Sequence, residues 1–377
     1  MMETEAVVAQ GTLKITCPRD ELARALGIVS RGVSTRTSVQ ILAGILLQAS
    51  GGRLELAATD MELSLRTSFE AAVQGEGSVV VPGRLLLELA RLLPDADVTV
   101  EHKLEEAAVE VRSGSAVYRL HTYNAEDFPR LPDAQTAERH EVDRERLLET
   151  VSRVSRSASR DESRPVLTGV LMRFEPGHLV MAATDSYRLS VKETGIEGDV
   201  PELEAIVPAR ALQELARIAQ AGERIELGVH ENQVVFSTGD ALLTTRRIDG
   251  QFPNYKQLVP EAFEHELGLP REELLEVVRR VAVMAQRNSP LRLRFADGEL
   301  TVSAQTQDVG EARESLPVPF SGEPLEIGFN AEFLRDGIES VSGEQLRLKL
   351  ISPLRPAVLQ GEDDSFLYLI MPIRLAG

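Results

Sequence analysis

The chain has no tryptophan, five tyrosines and eleven phenylalanines in 377 residues. So few aromatics argue against a protein that holds single-stranded nucleic acid by stacking bases on aromatic platforms. A single cysteine, Cys17, excludes an internal disulfide framework and any multi-cysteine zinc site. It fits a cytoplasmic protein. Lysine is scarce: Lys14, Lys103, Lys192, Lys256 and Lys349 are the only ones among 41 basic side chains, and the rest are arginine. The six histidines, at 102, 121, 140, 178, 230 and 265, stand singly and lack paired-ligand spacing. No apolar run reaches the roughly 18 residues of a membrane helix. The longest, around 41–47, is broken by Gly44. Residues 1–11 have neither the basic nor the apolar part of a signal peptide and are expected to be an extension outside the fold.

Catalytic signatures are missing too. There is no phosphate-cradling glycine loop, no nucleophile elbow and no His-Glu-x-x-His helix. No catalytic residue, metal site or cofactor is therefore expected. Acid is abundant: 59 Asp and Glu against 41 Lys and Arg, for a formal charge of −18. As a sum this opposes phosphate binding, so the distribution of charge has to be examined.

The chain repeats itself. Leu54-Glu55-Leu56-Ala57-Ala58-Thr59-Asp60 returns 125 residues later as Leu179-Val180-Met181-Ala182-Ala183-Thr184-Asp185. Val79-Val80-Val81-Pro82-Gly83-Arg84 returns at 126 as Ala205-Ile206-Val207-Pro208-Ala209-Arg210. Phe128-Pro129 returns at 124 as Phe252-Pro253. A third, diverged copy includes Leu325-Glu326-Ile327-Gly328-Phe329-Asn330. The expected domains are 12–137, 138–262 and 263–377. Asp60 and Asp185 could be read as repeated acids of a catalytic site, or as strand-end turns in which Thr and Asp bond the local backbone.

Each copy halves again. Helical periodicity covers 19–30, 84–93, 144–155, 210–221, 271–285 and 331–341, and strand-like runs follow each helix. Six half-units of strand, helix and three strands give an α+β fold, with two helices per domain inside and antiparallel sheets outside. An open row of three such domains leaves two sheet edges, and a second copy would close both. Twelve helices spaced about 10 Å apart enclose a hole of roughly 28 Å, wide enough for a duplex about 20 Å across, whereas six do not. Counted over 19–31, 84–91, 143–156, 210–217 and 271–287 the helical segments carry +1 each, and 332–339 carries −2, while acid collects at 101–110, 197–204 and 362–364. This suits a mildly basic lining that includes Arg24, Arg84, Arg153, Arg210 and Arg280, although arginines near helix C-termini also answer the helix dipole.

The motifs in this order resemble those of the bacterial DNA polymerase III beta subunit, the sliding clamp. The resemblance rests on Leu13-Lys14-Ile15-Thr16, the two Ala-Thr-Asp repeats, Ile206-Val207-Pro208, Asp249-Gly250-Gln251-Phe252-Pro253-Asn254-Tyr255, Glu326-Ile327-Gly328-Phe329-Asn330 and Tyr368-Leu369-Ile370-Met371-Pro372-Ile373-Arg374. It covers residues 12–377. It implies a homodimeric ring around duplex DNA that tethers the replicative polymerase alpha subunit and is opened by a clamp loader. It also implies a pocket for short clamp-binding peptides, formed by Leu167, Thr184, Tyr187, Arg188, Leu189, Pro253, Leu258, Asn330, Phe333, Leu354, Met371, Pro372, Ile373 and Arg374. Ser186-Tyr187 stands where the family often has Gly-His, and Gln257 where a basic residue is common. The match further implies DNA contacts at Arg36 and Arg164. Tyr118, Val283 and Met284 are candidates for the dimer seam or for ordinary core packing. A clamp paralogue, or a peptide-binding repeat scaffold, is the alternative reading.

Overall fold

A computed structural model describes residues 12–34, 38–132, 139–197, 202–220, 222–230, 232–285, 289–306 and 310–375. The extension 1–11 and Arg36 lie outside the described residues. Seven α-helices occur among them: α1 (Arg19–Val29), α2 (Gly83–Leu92), α3 (Arg144–Val154), α4 (Pro165–Thr168), α5 (Ala209–Ile218), α6 (Arg271–Ala282) and α7 (Ala331–Ser340). All but the one-turn α4 fall on the periodic segments.

Their apolar stripes explain why they are helices. Leu22, Ala25, Leu26 and Val29 of α1 are buried, as are Leu147, Thr150, Val151 and Val154 of α3 and Leu274, Val277, Val278 and Val281 of α6. These sets correspond position by position, which ties residues 19, 144 and 271 together as equivalent helix starts. Pro18 and Pro270 hold the N-cap positions of α1 and α6, where a missing N–H costs no helical bond. The apolar periodicity predicts that the last of these helices runs to 285. It stops at Ala282. The N–H groups of Val283, Met284 and Ala285 turn to carbonyls three residues back, so Val283 and Met284 sit in a tight turn after α6.

The chain packs as two compact units, one holding residues up to Arg144 with Glu214–Arg247, the other Glu145–Gln213 with Ile248–Gly377. In the first, one antiparallel sheet runs in the order Ala72–Gly75, Lys14–Pro18, Asp97–Lys103, Ala108–Ser113, Ala116–His121. An eight-stranded sheet runs Arg139–Asp143, Arg224–Val229, Gln233–Thr238, Ala241–Arg246, Leu63–Glu70, Arg53–Thr59, Gly44–Ser50, Gly77–Pro82. Helices α1 and α2 pack on each other and on strands of the larger sheet.

The second unit has the same plan. Its eight-stranded sheet runs Leu203–Pro208, Gly169–Glu175, His178–Thr184, Arg188–Gly195, Phe366–Ile370, Ala357–Gln360, Gln345–Leu350, His265–Pro270. Its four-stranded sheet runs Gly310–Pro317, Glu299–Thr306, Leu291–Ala296, Leu325–Phe329. A core of Leu274, Val278, Phe295, Phe329, Ile338 and Tyr368, among others, lies around α6 and α7. Gly337 of α7 is required there, because a Cβ would meet the Tyr368 ring at 2.5 Å.

Each large sheet is continuous across two repeats. Leu65 of the first repeat pairs with Leu243 of the second. Ser190 of the second pairs with Tyr368 of the third. Both offsets are 125 residues, so the same joint is built twice.

Cys17 is buried in Lys14–Pro18. Burial, with the Asp97 carboxylate in support, pushes its thiol up to about 12, which leaves almost no thiolate at pH 8. The folded protein is expected to resist iodoacetamide at pH 8 and to take up one equivalent only after denaturation. Fast labelling of the native protein, followed by mass spectrometry, would contradict this placement.

Candidate functional site

The Ala-Thr-Asp motif ends a strand in both repeats, and its polar groups close the turn. Thr184 Oγ1 donates to the Arg188 carbonyl at 2.7 Å and accepts from the Ser186 N–H at 3.1 Å. Asp185 Oδ1 accepts from the Tyr187 and Arg188 N–H groups at 2.9 and 3.0 Å. Thr59 and Asp60 repeat the pattern with Met61, Glu62 and Leu63. Met61 and Ser186 both adopt positive φ, 78° and 80°. The acids are turn formers here.

The second turn carries more. Arg188 is 7% exposed, and its whole guanidinium is engaged. Nε donates to Asp185 Oδ2 at 3.0 Å, Nη1 to Asp336 Oδ2 on α7 at 2.6 Å, and Nη2 to the Arg156 carbonyl at 2.6 Å. The group also stacks over the Phe333 ring at 4.3 Å. Burial opposes its charge, but Tyr368, Asp336 and Asp185 more than offset burial, so Arg188 stays protonated. Arg188 therefore frames the site from beneath, with each of its three nitrogens bonded to the protein. Sequence reasoning missed Asp336 and the Arg156 carbonyl. Asp336 is one acid on an amphipathic helix, 148 residues from its partner, and a backbone oxygen leaves no sequence signature.

Sheet register brings most of the predicted pocket residues to one end of the eight-stranded sheet. Arg188 pairs with Ile370, and the Met371 N–H continues the ladder to the Tyr187 carbonyl at 2.8 Å. Ala357 also pairs with Ile370, which places the preceding loop, with Leu354, at the same end. Leu171 pairs with Ala182, so α4 and its Leu167 lie there too. The tail is pinned from its other side by the Ile373 N–H on the Gly328 carbonyl at 2.7 Å. Asn330 caps α7 by accepting from the Phe333 N–H, and the Tyr368 hydroxyl donates to the Phe333 carbonyl.

Tyr187 is 62% and Leu354 64% exposed, and Leu258, Met371 and Ile373 are exposed as well. Five large apolar side chains left in water on neighbouring segments make a patch of the kind that marks a binding surface. Arg374 is exposed and Pro372 half-buried beside them. Pro253 and Leu258 belong to the segment whose Phe252 and Tyr255 pack on Leu171, Leu189 and Leu369. Besides the buried Arg188, two predicted residues do not line a surface. Leu189 is core, and the buried Thr184 has its hydroxyl committed to the turn.

The predicted DNA-contacting arginines are mostly paired. Arg24 bonds Glu21, Arg84 bonds Glu88, and Arg280 bonds Glu314. Arg153 pairs with Glu149 and donates to Ser342 Oγ. Arg164 pairs with Asp161 and donates to Ser186 Oγ at 3.0 Å, so it belongs to the pocket's turn as much as to its own loop. Arg210 is exposed on α5. The exposed pairs among these, those of Arg24, Arg84, Arg164 and Arg280, contribute only about 0–1 kcal/mol each, so they can open toward another anion.

Tyr118 stands on the edge strand Ala116–His121, 39% exposed. Val283 is 76% exposed, whereas Met284 packs partly against the core.

Repeated antiparallel sheets backed by paired helices, with strand joints recurring at one offset, define a clamp protein of three α+β domains. Models of the DNA polymerase III beta subunit match in order: its N-terminal domain at residues 13–132, its central domain at 141–254 and its C-terminal domain at 256–374. The beta sliding clamp of Synechococcus elongatus is 37% identical over 375 residues, covering 96% of this chain and 100% of that protein. The crystal structure of the DNA polymerase sliding clamp from Bacillus subtilis superposes with a TM-score of 0.90 at 26% identity, over 97% of this chain and 100% of that one. The sliding clamp of Bartonella birtlesii bound to griselimycin gives 0.89 at 27% identity, over 97% and 100%. The chain belongs to the DNA polymerase III beta subunit family, the bacterial sliding clamps.

Replacing Arg188 by alanine would leave Asp185, Asp336 and the Arg156 carbonyl without their shared cation. Breaking a buried pair from one side costs about 3–5 kcal/mol. Arg188→Ala is expected to lose that much in urea unfolding, and Arg188→Lys to recover only part of it because an ammonium cannot span three acceptors. An Arg188→Ala protein as stable as wild type would refute the framing role.

Proposed function

We propose that this chain is the processivity factor of a replicative DNA polymerase. Two copies close a ring around duplex DNA and slide along it. The ring tethers the polymerase alpha subunit and other partners through the apolar patch at the 184–189 turn, and a clamp loader opens it. The domains are 12–137, 138–262 and 263–377, the protein is cytoplasmic, and no residue is assigned catalysis.

The observation that carries the ring is the repeated joint. The internal joints pair Leu65 with Leu243 and Ser190 with Tyr368. In the third repeat Gly310–Pro317 takes the place of Arg188–Gly195. Each is the second strand of its hairpin, with Pro317 opposite Glu299 and Gly195 opposite His178. In the first repeat Ala116–His121 takes the place of Ala241–Arg246. Both substitutes are sheet edges among the described residues. Carrying the register over sets Ala312 of one copy opposite Tyr118 of the other, and Glu311 opposite Arg119. Tyr118 then stands where Leu243 and Tyr368 stand in the internal joints, and both of those are fully buried. An exposed edge of this type invites pairing, and pairing two such edges twice yields a closed dimer.

The paired helix arginines support sliding, because weak phosphate contacts carry no sequence information. The exposed aliphatic and aromatic groups around Tyr187 support an extended-peptide partner, anchored by side chains while backbone contacts orient it.

Sedimentation should give a particle of about twice 41.4 kDa at micromolar concentration. Clamp loaded on a nicked circle should stay until the circle is cut and then run off. Retention on the linear product would refute enclosure. Tyr187→Ala and Leu354→Ala change exposed residues, so stability should hold within about 0.5 kcal/mol. Affinity for a clamp-binding peptide should fall on the order of tenfold for each, as for anchor residues of an interface. Unchanged calorimetric affinity in both variants would move the partner site elsewhere.

A further inference from the structure

The surface at the second joint has a backbone twin at the first, and equivalent positions lie 125 residues apart. The Arg246 N–H donates to the Glu62 carbonyl at 3.1 Å, as the Met371 N–H does to that of Tyr187. The Ser34 N–H donates to the Leu42 carbonyl at 2.9 Å, as the Ser159 N–H does to that of Leu167 at 2.8 Å. Met61 holds the positive φ of Ser186. The hairpin His230–Gln233 leads from Arg224–Val229 into Gln233–Thr238, the strands whose places Gln345–Leu350 and Ala357–Gln360 take in the other large sheet. It therefore occupies the position of the loop that carries Leu354.

The side chains on this shared frame differ. Where the second joint exposes Tyr187 and Met371, the first exposes Glu62 and Arg246, and Arg247 follows in the place of Pro372. Where Arg164 bonds Ser186 at the second joint, the first has Val39 and Met61, both exposed and apolar. The two arginines are unlike those of the helices. Arg24, Arg84 and Arg280 each hold a carboxylate. Among the described residues, neither Arg246 nor Arg247 has an acidic partner. Asp60 is committed to its turn, and the exposed Glu62 pairs with neither arginine. Arg247 is half-buried, yet its Nε is buried with no hydrogen-bond partner. Its one side-chain bond, from Nη1 to the His230 carbonyl, is 3.4 Å long, beyond the usual range for such bonds. His230 Nε2 and Gln233 Oε1 on the same hairpin are also buried without partners. A guanidinium so poorly satisfied is destabilising where it stands, and a carboxylate would satisfy it.

We infer that the end of the first eight-stranded sheet is a second docking site, for an extended acidic peptide segment of a partner protein that sets a carboxylate on Arg246 and Arg247 and an apolar side chain against Met61. The inference rests on the peptide reading of the second joint, whose backbone frame it shares, and adds a site of different chemistry. The guanidinium fork matches a carboxylate in the plane. No Phe, Tyr or Trp occurs in 59–63, 230–233 or 246–247, so nothing there stacks a base, which favours a peptide over a nucleic-acid strand. The two joints thus offer one apolar and one cationic surface on the same scaffold, and so sort partners by charge.

The probe is a short fluorescein-labelled peptide of alternating aspartate and leucine, followed by anisotropy on the full-length protein. The background carries Tyr187→Ala with Leu354→Ala, so that the second joint contributes nothing. Adding Arg246→Ser is expected to weaken binding on the order of tenfold, and Arg247→Gln by a similar factor. Binding should also fall as salt is raised. A peptide with serine in place of aspartate should bind on the order of tenfold less tightly. Affinity unchanged by Arg246→Ser, or equal affinity for the serine peptide, would overturn the inference. A single-stranded oligonucleotide that binds more tightly than the peptide, with the same dependence on Arg246, would assign the surface to nucleic acid and overturn it too. Arg246 is exposed, so Arg246→Ser should keep the fold, verified by thermal unfolding, and it decides the matter even if Arg247→Gln destabilises the protein. A clamp-binding peptide held by the background variant as tightly as by wild type would instead overturn the reading of the second joint, which separates the two failures.

Discussion

A β-strand edge has backbone donors and acceptors that water or another strand must satisfy, and this protein's organisation follows from how it meets that demand. Inside the chain it does so twice in the same way, with Leu63–Glu70 against Ala241–Arg246 and Arg188–Gly195 against Phe366–Ile370. Ladder bonds at a joint fix strand direction and register together, and a slip of one residue would turn every side chain to the wrong face. Within each compact unit the two repeats that meet there are therefore indexed to one another, and the 125-residue periodicity of the sequence becomes a periodicity of sheets.

The site at the second joint depends on that indexing. Arg188 is the first residue of a joint strand, so its position is set by the ladder to Ile370. From there it gathers an acid on its own turn, an acid on α7, a carbonyl after α3 and the face of Phe333. Three elements meet on one planar cation whose donors match several acceptors at once. The exposed apolar groups above it, Tyr187, Leu354 and Met371, are carried on backbone that this cation and the ladder hold still. A partner meeting such a surface has little loop ordering to impose.

Much of this was legible in the chain because repetition and hydrophobic periodicity are local, redundant signals. The helix stripes and the Thr-Asp turns rest on short spacings, and both are found where those spacings put them. The end of α6 was not legible: residues 281–285 are uniformly apolar, and no polar residue marks where the backbone tightens. Nor were the burial of Leu189 or the partners of Arg188, since these arise from elements brought together across long stretches of chain. The helix arginines show an intermediate case. Counting charge along a segment predicts a positive surface, yet Arg24 with Glu21 and Arg84 with Glu88 are neighbours at helical spacing and satisfy one another first.

That mutual satisfaction has a consequence for motion along a polyanion. Where bare cations line a path, each phosphate falls into a deep, localised well and must climb out before the next step. Where most cations already hold a carboxylate, as Arg24, Arg84, Arg153 and Arg280 do, an arriving phosphate displaces one anion with another, and leaves when the carboxylate swings back. In the ring proposed above, the energy profile along the duplex would then be shallow and finely rippled, and thermal agitation alone would carry the protein from one base pair to the next.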